Sequence, residues 1–428
     1  MKRVYAAIAL ALLIAGSSGF TGARRLHASQ ATMTFYFWGG TTEYNTNVVA
    51  TQQVAQKLNV SIRNIDAQGD YEAGLLVRIA AHDGPDLFYA PDWWIPYLAS
   101  KGILLNLDPY VAKDPAFHRK DYVPQALQGL TYHGHLYGLP RGFSATVLYY
   151  NKDIFDQMHV AYPSAHWTLN DMLNAARRLT TKDHWGLMLH DGPGANDKPS
   201  FFDFLWSFGA DYINSAGTGC TLTSPAARRA FQWVVDLTYK YHVQPVAADI
   251  TANGGWSGAL FTKGKVAMVL GAQRWFYLYA PLLGGSTPAF RWGVQLPPLA
   301  LDGKHRYAYP GYAGIGVWSG TPRRDLGYQI GKAISQGPGQ IAIARVGIDL
   351  PAYEPVLHSN APFISPDKQA DTISIAALAY TRIPHYVVNM QRVQSALDNG
   401  ALSKLWLNKD TVAHATQAAC DEINPLLK

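Results

Sequence analysis

Between residues 33 and 89 the chain alternates short β-rich runs with helix-like stretches, and this alternation constrains the fold most. Met33–Trp38 (MTFYFW) reads as a strand, and Asn45–Leu58 carries Val48, Val49, Val54 and Leu58 at helical spacing. Asn59–Ile65 is a second strand, Tyr71–Ala81 a helix and Leu87–Tyr89 a third strand. Strands separated by such helices pair in parallel, because a parallel neighbour is reached only through a long crossover. Ligands in such sheets sit beyond the carboxyl ends of the strands, here at the loops Gly39–Glu43 and Ala90–Trp94. At 428 residues the chain is too long for one ordinary core, so two or three α/β domains are expected.

Further along, Trp93–Lys101 reads as a helix and His133-Gly134-His135 as a hairpin turn. Gly138–Phe155 (GLPRGFSATVLYYNKDIF) passes from a glycine-rich loop into the apolar strand Thr146–Tyr150, with a helix start at Asn151–Asp153. Thr168 caps Leu169–Leu179 with Asp171 three residues on. Ser224-Pro225 caps Ala226–Tyr241 with proline at the first helical position. Phe290–Leu296 and Gly314–Val317 read as strands, and Asp325–Ser335 and Gly339–Val346 as helices.

The N-terminus has Lys2-Arg3, an apolar run from Val4 to Gly16, then small residues. That is the pattern of a secretory signal peptide, and the run is short of the ~20 residues a membrane span needs. Cleavage is expected after Ala31, an uncleaved anchor being the alternative, and no lipobox cysteine follows the apolar run. The net charge of +6 falls to +2 without Lys2, Arg3, Arg24 and Arg25. A nearly neutral chain without a basic stripe gives little electrostatic reason to bind nucleic acid. Cys220 and Cys420 are the only cysteines, and in an oxidising compartment they form one disulfide or stay as two buried thiols.

Screening for catalysis yields nothing specific: the chain has no zinc-protease helix motif, nucleophile elbow or Walker loop. Gly337–Ala342 fits a dinucleotide fingerprint superficially, but it follows a helix and contains Pro338, so it reads as a helix–helix connection. His133 and His135 flank a turn glycine without further ligand spacing, so no metal or other cofactor is implied. The 12 Trp and 25 Tyr exceed what cores need, and flat rings with a polar tip suit sugar faces.

Leu139-Pro140 followed by Tyr149-Tyr150-Asn151-Lys152-Asp153-Ile154-Phe155 resembles the lobe-crossing segment of family 1 extracellular solute-binding proteins, the carbohydrate receptors of bacterial ABC importers. Gly84-Pro85-Asp86 with Gly102, Leu104 and Leu107, the helix entrance at Gly219–Tyr239, and Lys263–Met268 with Gly271–Trp275 resemble further blocks of that family in the same order. The resemblance implies a two-lobed periplasmic-binding-protein-like fold (type II), with residues 32–143 and 295–346 in lobe 1 and residues 144–294 and 347–428 in lobe 2, joined by hinge crossings. By the same resemblance the strands Phe290–Leu296 and Gly314–Val317 return to lobe 1, and Gly347–Pro351 crosses again to lobe 2. It implies a monomer on the outer side of the cytoplasmic membrane that is no enzyme. Such a receptor closes on a carbohydrate and delivers it to permease subunits. The ligand contacts it implies are Trp38, Thr42, Glu43, Asp92, Trp93, Arg141, Ser144, Arg274, Trp275, Gly311, Tyr312, His385 and Tyr386. Trp275 is the expected ring-stacking platform. Arg141 and Arg274 leave open a glycerol-phosphate, uronate or polyol ligand, and a secreted carbohydrate-active enzyme is the other rival.

Overall fold

The computed structural model describes residues 31–189, 198–255, 257–272, 289–311, 313–346, 349–359, 368–398 and 400–427. Its strands are β1 (Ala31–Phe37), β2 (Val60–Asp66), β3 (Leu87–Pro91), β4 (Thr131–Tyr132), β5 (His135–Leu136), β6 (Gly138–Pro140) and β7 (Ser144–Ala145). They continue with β8 (Val147–Asn151), β9 (Met188–Leu189), β10 (Met268–Ala272), β11 (Trp292–Gln295), β12 (Pro310–Gly311) and β13 (Ala313–Val317).

The early alternation gives the expected parallel sheet. β1 lies between β2 and β3, parallel to both, and helices Gly40–Leu58 and Tyr71–Ala80 make the crossovers. β13 then pairs antiparallel with both β3 and β6, so the first sheet runs β2-β1-β3-β13-β6. All five residues of β3 and of β13 are buried, as strands covered on both faces must be. Around them packs a core that includes Phe35, Phe37, Leu75, Leu98, Ile315 and Ile330.

A second sheet runs β11-β8-β10-β9, with β8 antiparallel to β10 and β11. One of its faces carries a large core containing Phe155, Met172, Leu205, Phe231 and Val393; the other holds Tyr149, Phe261, Val269 and Leu350. Thr168 and Asp171 form the expected reciprocal cap, and the Ser224 side chain accepts from Ala227 N–H. Cys220 and Cys420 are joined, their Cα atoms 5.2 Å apart, tying the entrance of helix Pro225–Tyr239 to helix Val412–Ile423.

Two expectations need correction. The strand over Phe290–Leu296, expected to return to the first sheet, is β11 and pairs with β8 of the second. Leu299 also bonds to Trp167 and Leu169, so the chain rejoins the first sheet only at Ala313 and not near residue 295. The helix expected over Trp93–Lys101 is a 3-10 turn, Asp92–Trp94, followed by Ile95–Ser100. Pro96, which has no N–H to donate, takes a place in the first turn of that second helix, where none is needed.

Candidate functional site

Three stretches of chain pass between the sheets side by side. The first follows β6 at Arg141–Thr146, the second includes 308–311 and Ala313, and the third runs over Asp349–Ala352. Single backbone bonds join them: Arg141 N–H to Ala313 O at 3.1 Å, Phe143 N–H to Leu350 O at 2.9 Å and Thr146 N–H to Tyr309 O at 3.1 Å. Between the first two, β7 and β12 form a two-stranded ribbon, with Ser144 opposite Gly311. The first two crossings leave the first sheet at one edge: the carboxyl ends of β3 and β6 lie beside the start of β13. The loops after β1 and β3, Trp38–Gly39 and Asp92–Trp94, lie at the carboxyl ends of strands in that sheet. In the second sheet β8 starts where β10 and β11 end, Val147 opposite Ala272 and Leu148 opposite Gln295.

Trp38 is half-buried, its ring edge-on to Tyr71 at 4.8 Å and to Tyr89 at 4.9 Å. Gly39, at φ 125°, turns the chain into the helix, and a Cβ there would meet the Glu43 Cβ at 2.6 Å. Glu43 is buried, and its Oε1 accepts from the Tyr89 hydroxyl at 2.5 Å and from Arg141 Nη2. Arg141 also donates from Nε to the Tyr89 oxygen at 2.6 Å and from Nη1 to Asp349 Oδ2. Asp349 Oδ1 accepts from Ser144 Oγ at 2.9 Å, and the Asn47 amide donates to the Tyr89 oxygen at 2.7 Å. Two carboxylates thus share one guanidinium, with all three side chains at most 8% exposed. Among the described residues Glu43 Oε2 has no hydrogen-bond partner. Burial pushes the Glu43 carboxyl above its usual range, against the opposing pull of Arg141 and the Tyr89 hydroxyl.

Arg141 and Ser144, expected as ligand contacts, are therefore committed to one another's neighbourhood: the three guanidinium nitrogens already hold protein acceptors. These bonds give both residues a structural role, because burying a charge is tolerable only with partners in place.

On the flank of the crossings a cavity of about 770 Å³ is lined from the first-sheet side by Asp92, Gln128 and His133, and from the second-sheet side by Asp211, Arg382, His385 and Tyr386. The Tyr386 hydroxyl donates to Asp92 Oδ2 at 2.7 Å and lies 3.1 Å from the Tyr309 hydroxyl. Arg382 pairs with Asp211 at 2.7 Å and lies over the Trp206 ring at 5.0 Å. The sequence-derived set thus meets in two groups. Glu43, Arg141, Ser144 and Gly311 gather at the crossings with Trp38 near them, and Asp92, His385 and Tyr386 face one cavity. Trp93 packs against the cores of both sheets. Thr42 lies in helix Gly40–Leu58. Arg274, Trp275 and Tyr312 lie outside the described residues.

Sequence reasoning missed Tyr89, Asp349, Tyr309 and the Asp211–Arg382 pair. Tyr89 read as strand core, and Asp349 carried one weak signal, being the sole acid in the sequence stretch Gly347–Pro351. Among the described residues no cluster of three or more His, Cys, Asp or Glu has the arrangement to hold a metal ion, and no helix is long and apolar enough to cross a membrane.

Comparison with known proteins agrees with this architecture. The maltotriose-binding protein of Pyrococcus abyssi is 25% identical over 314 residues, 70% of this chain and 61% of that protein. A putative binding protein of Brucella abortus is 26% identical over 231 residues, 54% of this chain and 53% of its own length. The chain thus spans between half and two-thirds of the length of these curated relatives. An ABC substrate-binding protein from Listeria monocytogenes, solved in complex with cycloalternan, superposes with a TM-score of 0.82 at 23% identity, over 93% of this chain and 99% of that one. The GacH receptor of Streptomyces glaucescens, solved unliganded and with acarbose, gives 0.77 at 20% identity, over 93% and 98%. These likenesses give the two-lobed type II binding-protein fold. Residues 41–333 match the model of the bacterial extracellular solute-binding proteins, and the chain belongs to that family.

Proposed function

We propose that this protein is the solute receptor of an ABC importer, secreted across the cytoplasmic membrane, which captures a carbohydrate between its lobes and hands it to permease subunits. The observation that carries the reading is the set of three adjacent crossings, with aromatic and hydroxyl-directing side chains gathered beside them. Hinge rotation about such crossings opens and closes a cleft, and a ligand touching both lobes favours closure by its differential affinity. Lobe 1 is assigned residues 32–143 and 313–346, and lobe 2 residues 144–309 and 349–428.

In this reading Trp38 offers a ring to sugar C–H faces, while Asp92, His385 and Tyr386 direct hydroxyls. Thr42, Trp93, Gly311 and Tyr312 lie close in sequence to these elements, and Arg274 and Trp275 supply the second lobe's platform. The relatives point to an oligosaccharide: one is named for maltotriose, and others were solved with cycloalternan or acarbose. Arg141 gives an anionic ligand little support, since each of its three nitrogens already donates to a protein acceptor.

The test is a thermal-shift and calorimetry screen of maltotriose, cycloalternan, glycerol phosphate and a uronate. A neutral oligosaccharide is expected to raise Tm and leave intact sugar at the end of the incubation. A response to the anionic compounds alone would overturn the oligosaccharide assignment, and hydrolysis products would overturn the receptor reading.

A further inference from the structure

Besides the short β7–β12 ribbon, the backbone joins the crossings by single N–H bonds from Arg141, Phe143 and Thr146. A side-chain layer sits on top of these bonds. Arg141 belongs to the first crossing, Asp349 to the third, Tyr89 to β3 and Glu43 to the first turn of helix Gly40–Leu58. Each guanidinium nitrogen therefore points to a different element. Gln340 adds a second tie: its side-chain nitrogen donates to Arg141 O and its oxygen accepts from Ala352 N–H at 2.7 Å. The first and third crossings approach so closely that a Cβ on Gly142 would fall 2.5 Å from the Asp349 Cβ.

We propose that Arg141 is a positioning residue for lobe closure: by holding Asp349, Glu43 and Tyr89 together it sets how the crossings pack, and hence which lobe angle the protein adopts, without touching the ligand. The physical reason is the rigid fork. A guanidinium presents its donors in a fixed plane, so the third crossing cannot slide past the first without pulling Nη1 off Asp349. In a nearly dry setting, losing a charged partner costs far more than it does in water, so intermediate arrangements are disfavoured and the crossings occupy discrete packings. Glu43 adds the link to the ligand side, because its helix begins at the Trp38–Gly39 turn. This inference builds on the two-lobed receptor reading, but its test uses the ligand-free protein, so a failure to find a sugar ligand leaves it standing.

The experiment compares full-length wild type with Asp349→Asn and Arg141→Lys, by hydrogen exchange at single amides and by small-angle X-ray scattering. Asp349→Asn is nearly isosteric and removes one carboxylate charge; Arg141→Lys keeps the charge and loses the fork. The expected result is faster exchange at Phe143 and Thr146, by about tenfold or more in Asp349→Asn. β1 and β3 amides should keep wild-type rates, and the radius of gyration should change. Arg141→Lys should show the same local pattern, since a lysine cannot span three acceptors. Wild-type exchange at Phe143 and Thr146 with an unchanged radius of gyration would overturn the proposal. So would a uniform acceleration of every amide, which would mean a general loss of stability. Should Arg141→Lys fail to fold, Asp349→Asn alone decides.

Discussion

Glu43 and Asp349 compete for one guanidinium, and the pair divides the work unequally. Asp349 has both oxygens bonded, to Arg141 and Ser144, whereas Glu43 uses one and buries the other. A carboxyl whose folded pKa lies above its unfolded value stabilises the fold at low pH and loses that contribution as pH rises through the folded value. The Tm difference, Glu43→Gln minus wild type, is therefore expected to grow as pH rises above about 4.3. Thermal scans from pH 4 to 8 check this; a difference that shrinks with rising pH would contradict it. Trp38 belongs to the same scale: Trp38→Ala is expected to weaken oligosaccharide binding about tenfold or more by calorimetry, since an aromatic anchor carries a large share of such contacts. Glu43, Trp38 and Arg141 were legible as polar or aromatic residues in loops after strands. What Arg141 does was not, because its partners lie 98 and 208 positions away and pairing at that range leaves no local pattern.

Elements were legible where the signal is local. The Thr168–Asp171 and Ser224–Pro225 caps stand where side-chain chemistry requires them, and helix and strand boundaries fall within a few residues of expectation in most cases. β11 shows the limit: its run of residues announces a strand, but the choice of partner sheet depends on β8, about 140 residues earlier by the chain numbering. Helix exits hold a different lesson. His82, His159 and His242 follow helices with φ of 57°, 51° and 54°, in the left-handed region that favours glycine. After the first two, the next N–H reaches back five residues to cap the helix, Asp83 to Arg78 and Val160 to Phe155; after the third, Val243 reaches back six, to Leu237. His82→Gly and His159→Gly are each expected to stabilise by up to about 1 kcal/mol, nearly additively because the sites are far apart. Calorimetric Tm values of the single and double variants test both parts.

At the scale of the molecule, the disulfide joins positions 200 residues apart. Closing so long a loop restricts the unfolded chain strongly, and losing it is expected to cost about 2–5 kcal/mol. Cys420→Ser and Cys220→Ser should lower Tm equally, and a reductant should bring wild type down to the same value; a reductant-insensitive wild type would contradict this. The family's general architecture could be read from motif order, while the point of return to the first sheet could not, since residues 297–309 have no strand pattern to show which lobe they cover. That late return has a consequence for biosynthesis. β13 lies between β3 and β6 and is the strand that joins β6 to the rest of the first sheet. An elongating chain therefore carries the three-stranded group β2-β1-β3 and the lone strand β6 unjoined, each with an open edge, until residue 317 has emerged. A fragment of residues 31–300 is expected to show no cooperative melting of the first lobe by circular dichroism, despite containing four of the sheet's five strands. The sheet that starts first along the chain is therefore the second to be completed, after β11 has closed the other.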